Sequence, residues 1–166
     1  MQIEMKVSGL TIDPITNTPI VILKDFQEKK AIPIWIGIFE ASAIATELEK
    51  IKFSRPMTHD LLRDVLTTLE AVVTRVEIHD VRNNTFYASI ILTRDNQDYT
   101  VDSRPSDAIA LALRVNAPIF VHDKVIEKAR SIDFDPNASD VDELKQEKMK
   151  EFLENLSNDD FGKYKM

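Results

Sequence analysis

Hydrophobic residues occupy every second position at Ile3, Met5 and Val7 and return as the run Ile20-Val21-Ile22-Leu23. Strand-favouring types at that spacing predict two strands, over residues 2–12 and 19–24. Asp13-Pro14 and Asn17-Thr18-Pro19 supply the turn between them, so an N-terminal hairpin is expected. Past a polar stretch over residues 24–30, residues 31–36 form a short apolar run. Its Pro33 has no amide hydrogen for a ladder, which suits this third strand to a sheet edge, and Trp35 with Ile34 and Ile36 is expected in the core.

The period then changes. Over residues 39–52, Ala43, Ile44, Leu48 and Ile51 recur at helical steps, with Gly37 marking the approach. A better-marked helix opens at Thr58-His59-Asp60-Leu61: Thr58 can cap it, Asp60 sits in its first turn, and Leu61, Leu62, Val65, Leu66 and Leu69 form an apolar stripe. Three β-rich runs follow, over residues 71–81, 85–93 and 98–102. Asn83-Asn84 and Asp95-Asn96 between them tolerate the left-handed conformations of tight hairpin turns, so an antiparallel meander is expected. Helical spacing resumes over residues 104–115, where Ser103 or Ser106 could serve as cap. Asn116-Ala117-Pro118 ends that helix before a short strand over 119–121 and a short helix over 122–131. Residues 133–140 are polar and contain Pro136 and Asn137, as a linker would. A last helix is predicted over 143–156, with Leu144, Met149, Phe152, Leu153 and Leu156 as its apolar residues. That stripe needs a surface to cover, on the same domain or on a second subunit, and a homodimer is the expectation. The whole pattern predicts an α+β fold, with residues 1–131 as one domain and 132–166 as an acidic linker and C-terminal helix.

Composition narrows the chemistry. The chain has 166 residues, 43% of them hydrophobic, enough to fill one core, and no cysteine, which rules out disulfides, thiolate metal sites and a cysteine nucleophile. The N-terminus lacks a basic stretch followed by an apolar core, and no apolar run approaches the roughly 20 residues that cross a bilayer, so a cytoplasmic protein without membrane contact is expected. The net charge of −7 argues against a nucleic-acid binder, but it is unevenly spread. Of 28 acids and 21 bases, 10 and 5 follow Ile132, leaving 18 and 16 in a body close to neutral.

Two segments carry candidate chemistry. In Arg55-Pro56-Met57-Thr58-His59-Asp60, a guanidinium suited to phosphate stands close to an imidazole that exchanges protons near neutral pH. In Asp102-Ser103-Arg104-Pro105-Ser106-Asp107, two carboxylates five residues apart across a strand-to-helix turn could converge on Mg²⁺ or Mn²⁺, beside helix-start amides that favour an anion. Both segments set Arg-Pro, a hydroxyl and an Asp at a helix start; side by side, they would make one polar cleft that accepts anions. Each also has a plainer reading, in which Thr58, Asp60 and Asp107 only terminate helices and the arginines pair with carboxylates. His79 and His122 read as ordinary surface or capping histidines; Glu40 and Glu47, seven apart on one helix, could face a metal but read rather as a solvated helix face.

The blocks Ile34-Trp35-Ile36-Gly37 with Glu40-Ala41 and Ile44, then Arg55-Pro56-Met57-Thr58-His59-Asp60-Leu61, then Asp102-Ser103-Arg104-Pro105-Ser106-Asp107-Ala108-Ile109-Ala110-Leu111-Ala112, resemble in order those of the bifunctional nuclease (DNase-RNase) family. The tail, with Phe152-Leu153-Glu154-Asn155-Leu156 and Asp159-Asp160-Phe161-Gly162-Lys163-Tyr164, resembles its bacterial members. The resemblance implies an α+β domain that cleaves DNA and RNA. On the chemistry of the residues, His59 is then a general base or ligand, Asp102 and Asp107 hold a divalent metal, and Asp60 orients His59 or joins the metal shell. Arg55 and Arg104, with the hydroxyls of Thr58, Ser103 and Ser106, bind phosphate. A different class of reading is a dimeric module that binds an anionic ligand without cleaving it.

Overall fold

In the computed structural model, which describes residues 1–129, the alternating N-terminal segment is β1 (Gln2–Ile12), paired antiparallel with β2 (Pro19–Asp25). β2 pairs with β3 (Ala31–Trp35), and β3 is a sheet edge, where Pro33 costs no ladder bond. The meander is β4 (Val72–Arg82), β5 (Thr85–Arg94) and β6 (Gln97–Ser103). Its two turns hold Asn83 and Asn84 at φ 49 and 59° and Asp95 and Asn96 at φ 51 and 58°, the left-handed conformations that the turn residues predict.

The last strand, β7 (Ile119–His122), joins these halves. It runs antiparallel to β1 and parallel to β4, giving one mixed seven-stranded sheet in the order β3-β2-β1-β7-β4-β5-β6. The register sorts side chains into faces, because paired residues share a face and successive residues alternate. One cross-strand row runs Met5, Ile119, Val76, Ile90, Val101, and its first four members are buried. The next row runs Glu4, Phe120, Glu77, Ser89, Asp102 on the opposite face.

Four helices complete the α+β fold: α1 (Ile38–Leu48), α2 (Thr58–Thr68), α3 (Pro105–Val115) and α4 (Asp123–Ala129). α3 is the central one, with Ala108, Ile109, Ala110, Leu111 and Ala112 all buried; small residues let it lie close to the sheet. Asn116, at φ 54°, closes it in the left-handed conformation. α4 adds Val125, Ile126 and Ala129 to the same core.

Three expectations are corrected. α1 stops at Leu48, and Leu48 and Ile51 are exposed, so the helix meets the core through Ala41, Ile44 and Ala45, with Ala43 packed against it. Trp35 is partly exposed and donates its indole hydrogen to Asp13 (3.0 Å), while its neighbours Ile34 and Ile36 are buried as expected. α2 buries none of its residues: only Leu66 of its stripe packs on the core, and Leu61, Leu62, Val65 and Leu69 face solvent. The helix predicted over 122–131 is described as far as Ala129, and the linker and helix predicted over 132–166 lie outside the described residues. Among the described residues, no helix is long and apolar enough to cross a membrane.

Candidate active site

α2 and α3 begin in the same way, with an aspartate at the third helical position. Met57, not Thr58, is the N-cap of α2, and the Asp60 carboxylate accepts a hydrogen bond from its amide (3.0 Å). Arg104, rather than Ser103 or Ser106, is the N-cap of α3, with Pro105 as first residue. Ser103 instead donates its hydroxyl to the Arg104 carbonyl (2.9 Å), and Ser106 is buried. Pro105 sets the backbone for the helix, and a preceding Arg in extended conformation follows from the steric demand of the ring.

These two starts lie side by side, cross-linked in both directions. His59 Nε2 on α2 is 2.9 Å from Asp107 Oδ1 on α3; since an ionised carboxylate only accepts, the imidazole proton sits on Nε2. In return, Arg114 on α3 donates Nε to Asp60 on α2 (2.8 Å). Arg114 is 4% exposed, and its two other nitrogens donate to the carbonyls of Ala110 and Ala43, so one buried guanidinium ties α1, α2 and α3 together.

Arg104 extends the array. Its Nε donates to Asp107 (2.7 Å) and its Nη1 to Glu40 on α1 (2.8 Å), while its side chain stays 65% exposed. Glu40 folds back over Gly37, where a Cβ would collide with its carboxylate; the glycine is what admits this conformation. A chain of alternating charge results, Glu40, Arg104, Asp107, His59, along the wall of a cleft of about 320 Å³ that is also lined by Phe39, Phe53, Met57 and Thr58. A second depression of about 440 Å³ shares Phe53 with it and is lined by Lys50, Lys52, Arg55 and Arg63.

Burial opposes ionisation of Asp107, but hydrogen bonds from Arg104 and His59 outweigh it and hold its carboxyl below the ordinary carboxylate value. Asp60 behaves alike: burial is outweighed by the Met57 amide and Arg114, and its carboxyl is held low. Both are therefore ionised acceptors at neutral pH.

Of the residues singled out from sequence, His59, Thr58, Arg104 and Asp107 meet at the cleft, and Asp60 stands one layer behind as the partner of Arg114. Arg55 lines the neighbouring depression, whose lining also includes Asp60 and Glu47. Asp102 does not join Asp107: its row lies on the face of the sheet opposite the buried row, so the expected Asp102/Asp107 ion site is not formed. Among the described residues, no three His, Asp or Glu side chains gather into a ready-made metal site. His79 and His122, ring centroids 6.3 Å apart on β4 and β7, line neither depression. Glu40, read from sequence as a solvated face rather than a ligand, enters the site, and so does Arg114, which was not picked. The signal for Arg114 was its spacing of seven from Asp107, two turns along one helical face.

The profile of the family described as the bifunctional nuclease domain matches residues 21–133. Two uncharacterized proteins of Mycobacterium tuberculosis, from strains H37Rv and CDC 1551 / Oshkosh, are each 40% identical over 164 residues, covering 95% of this chain and 97% of theirs. Bifunctional nuclease 2 of Oryza sativa subsp. japonica is 24% identical over 118 residues, 69% of this chain and 36% of the rice protein. The match spans the strands and helices that build the cleft, both helix starts included, and the chain belongs to the bifunctional nuclease domain family.

Proposed function

We propose that this chain is a nuclease that hydrolyses phosphodiester bonds of DNA and RNA in the cleft between the starts of α2 and α3. The observation that carries this reading is the His59–Asp107 pair (2.9 Å) set beside the exposed guanidinium of Arg104. With Nε2 committed to Asp107, His59 has Nδ1 to take a proton from an attacking water, and Asp107 stabilises the imidazolium that forms. Arg104 offers planar donors to the non-bridging phosphate oxygens, and the Thr58 hydroxyl a further one. Lys52 and Arg55 in the adjoining depression receive neighbouring phosphates. Arg114 is a positioning residue, holding α2 against α3 so that His59 meets Asp107.

A divalent ion, Mg²⁺ or Mn²⁺, would be held by Glu40 and Asp107, the two carboxylates that converge on Arg104; such ions commonly use one or two protein carboxylates and fill their remaining positions with water and phosphate. When bound, it would supply positive charge to the phosphate.

The test is cleavage of single- and double-stranded DNA and RNA by the purified full chain, with Mg²⁺, with Mn²⁺ and with chelator, beside His59→Ala and Asp107→Asn purified identically. The expected result is a loss of about 10²–10⁴-fold in either variant, with melting temperatures showing both still folded. Equal cleavage by wild type and variants would place the activity elsewhere. The net charge of −7 and the double engagement of Arg104 by carboxylates favour a second reading, an anion-binding module. Oligonucleotide binding without turnover in any metal condition would establish that one instead.

A further inference from the structure

Four large apolar side chains stand in solvent along one face of α2: Leu61 (57% exposed), Leu62 (37%), Val65 (45%) and Leu69 (49%). The topology places a second apolar strip beside them. His59 at one end of α2 touches Asp107 in the first turn of α3, which follows β6 directly, while the other end leads through Glu70 and Ala71 to Val72. Val72 pairs with Thr93, which pairs with Asp98 at the opposite end of β6. α2 therefore runs antiparallel to β6 along the same flank. Tyr99 and Val101 lie on the helix-bearing side of that strand, since Val101 continues the row of Val76 and Ile90, and they are 47% and 44% exposed. β6 is the last strand of the sheet, so its outer edge pairs with no strand among the described residues. A flank that combines an open edge with six exposed apolar residues is the kind of surface proteins keep covered.

We propose that the occupant is the C-terminal segment of the same chain, residues 143–156, lying along α2 with Met149, Phe152, Leu153 and Leu156 against Leu61, Leu62, Val65 and Leu69. The two sets match in number and period: each is four apolar residues spread over two to three helical turns. Reach is sufficient. The 14 residues from Ala129 to Glu143 span up to roughly 45–50 Å, against a diameter of about 36 Å for a compact sphere with the usual radius of gyration of a domain this size. Tethering raises the effective concentration of the segment at the flank to the millimolar range, which favours the chain's own tail over a second copy at ordinary protein concentrations. Docked there, the tail would clamp the helix that carries His59 and bring an excess of acids, 10 against 5 bases, toward the side of the molecule where Lys52, Arg55 and Arg104 are exposed. The proposal does not depend on the nuclease reading.

The chain has no cysteine, so introduced pairs report without background. Val65→Cys is combined in the full chain with Met149→Cys or with Leu153→Cys, and the reference places the first cysteine at Ile15, which is 91% exposed in the β1–β2 turn. Under mild oxidation, the expected result is a disulfide within one chain, formed at least about tenfold faster than in the Ile15→Cys reference, as a docked rather than freely moving tail requires. Two results overturn the proposal: rates no higher than the reference, or disulfides that join two chains, which would assign the flank to a second copy. Val65 is exposed, so the substitution leaves the core untouched.

Discussion

Arg114 stands where three helices meet, and its loss can be costed from its partners. Arg114→Met removes the donors to Asp60 and to the Ala43 carbonyl and leaves a partly buried carboxylate with only the Met57 amide and the more distant Arg63. A destabilisation of about 2–4 kcal/mol is expected, read from chemical denaturation, and Arg114→Lys should recover less than half of it, because an ammonium cannot fork between these acceptors. Asp80 offers a sharper test of pH dependence. A hydrogen bond from Arg82, with the Val81 amide and the Lys124 charge, outweighs burial and lowers its pKa from 3.8 to about 2. A depressed carboxylate contributes stability that is complete above its unfolded value and is lost as pH falls through the folded one. Melting temperature should therefore drop between about pH 4 and 2 in the wild type, and Asp80→Asn should melt lower at neutral pH with a flatter profile across that window. The sequence made His59, Arg104 and Asp107 legible because helix-start chemistry is local. It misassigned Asp102, since five residues of separation say nothing of the pleat, which turns Asp102 to one face while Val101 and the chain leading to α3 lie on the other. Glu40 was out of reach for a related reason: its partner Arg104 is 64 residues away, and only the close passage of α1 and α3 unites them.

Among the elements, β7 carries more of the architecture than its four residues suggest. Ile119 pairs with Met5 on one side and Val76 on the other, so it is the point where the N-terminal hairpins and the meander share a core. Ile119→Ala should cost about 2–5 kcal/mol and, if the seam is what couples the halves, broaden the unfolding transition. A single sharp transition at reduced midpoint would show that the helices couple them instead. Turns and helix ends were the legible part at this scale, because Asn83-Asn84, Asp95-Asn96 and Asn116 take left-handed conformations on their own account. Burial was less so. The stripe of α2 has the period of a packed helix, and the sequence could not reveal that the described core receives only Leu66 from it. A hydrophobic face announces a contact without naming the surface it meets.

For the molecule as a whole, the scarcity of cations near the cleft sets the character of any nucleic-acid binding. Lys52, Arg55 and Arg104 are the exposed cations assigned to phosphate, with Lys50 held by Glu47 (3.3 Å), and three phosphate contacts correspond to a salt slope of about −2 for a single strand. Affinity for a short oligonucleotide should fall about twentyfold from roughly 50 to 200 mM salt, measured by fluorescence anisotropy. A fall beyond a hundredfold would require a larger basic surface than this flank provides. The sheet has a further consequence, for the time the chain spends being made. Gln2 pairs with His122, so one side of β1 waits for a strand made 120 residues later. At about 5–20 residues per second, ribosomes leave that edge without its partner for roughly 6–24 s. That edge of β1 is thus an unpaired strand edge while the chain is being made, and variants that weaken residues 119–122 should be recovered mainly as insoluble product.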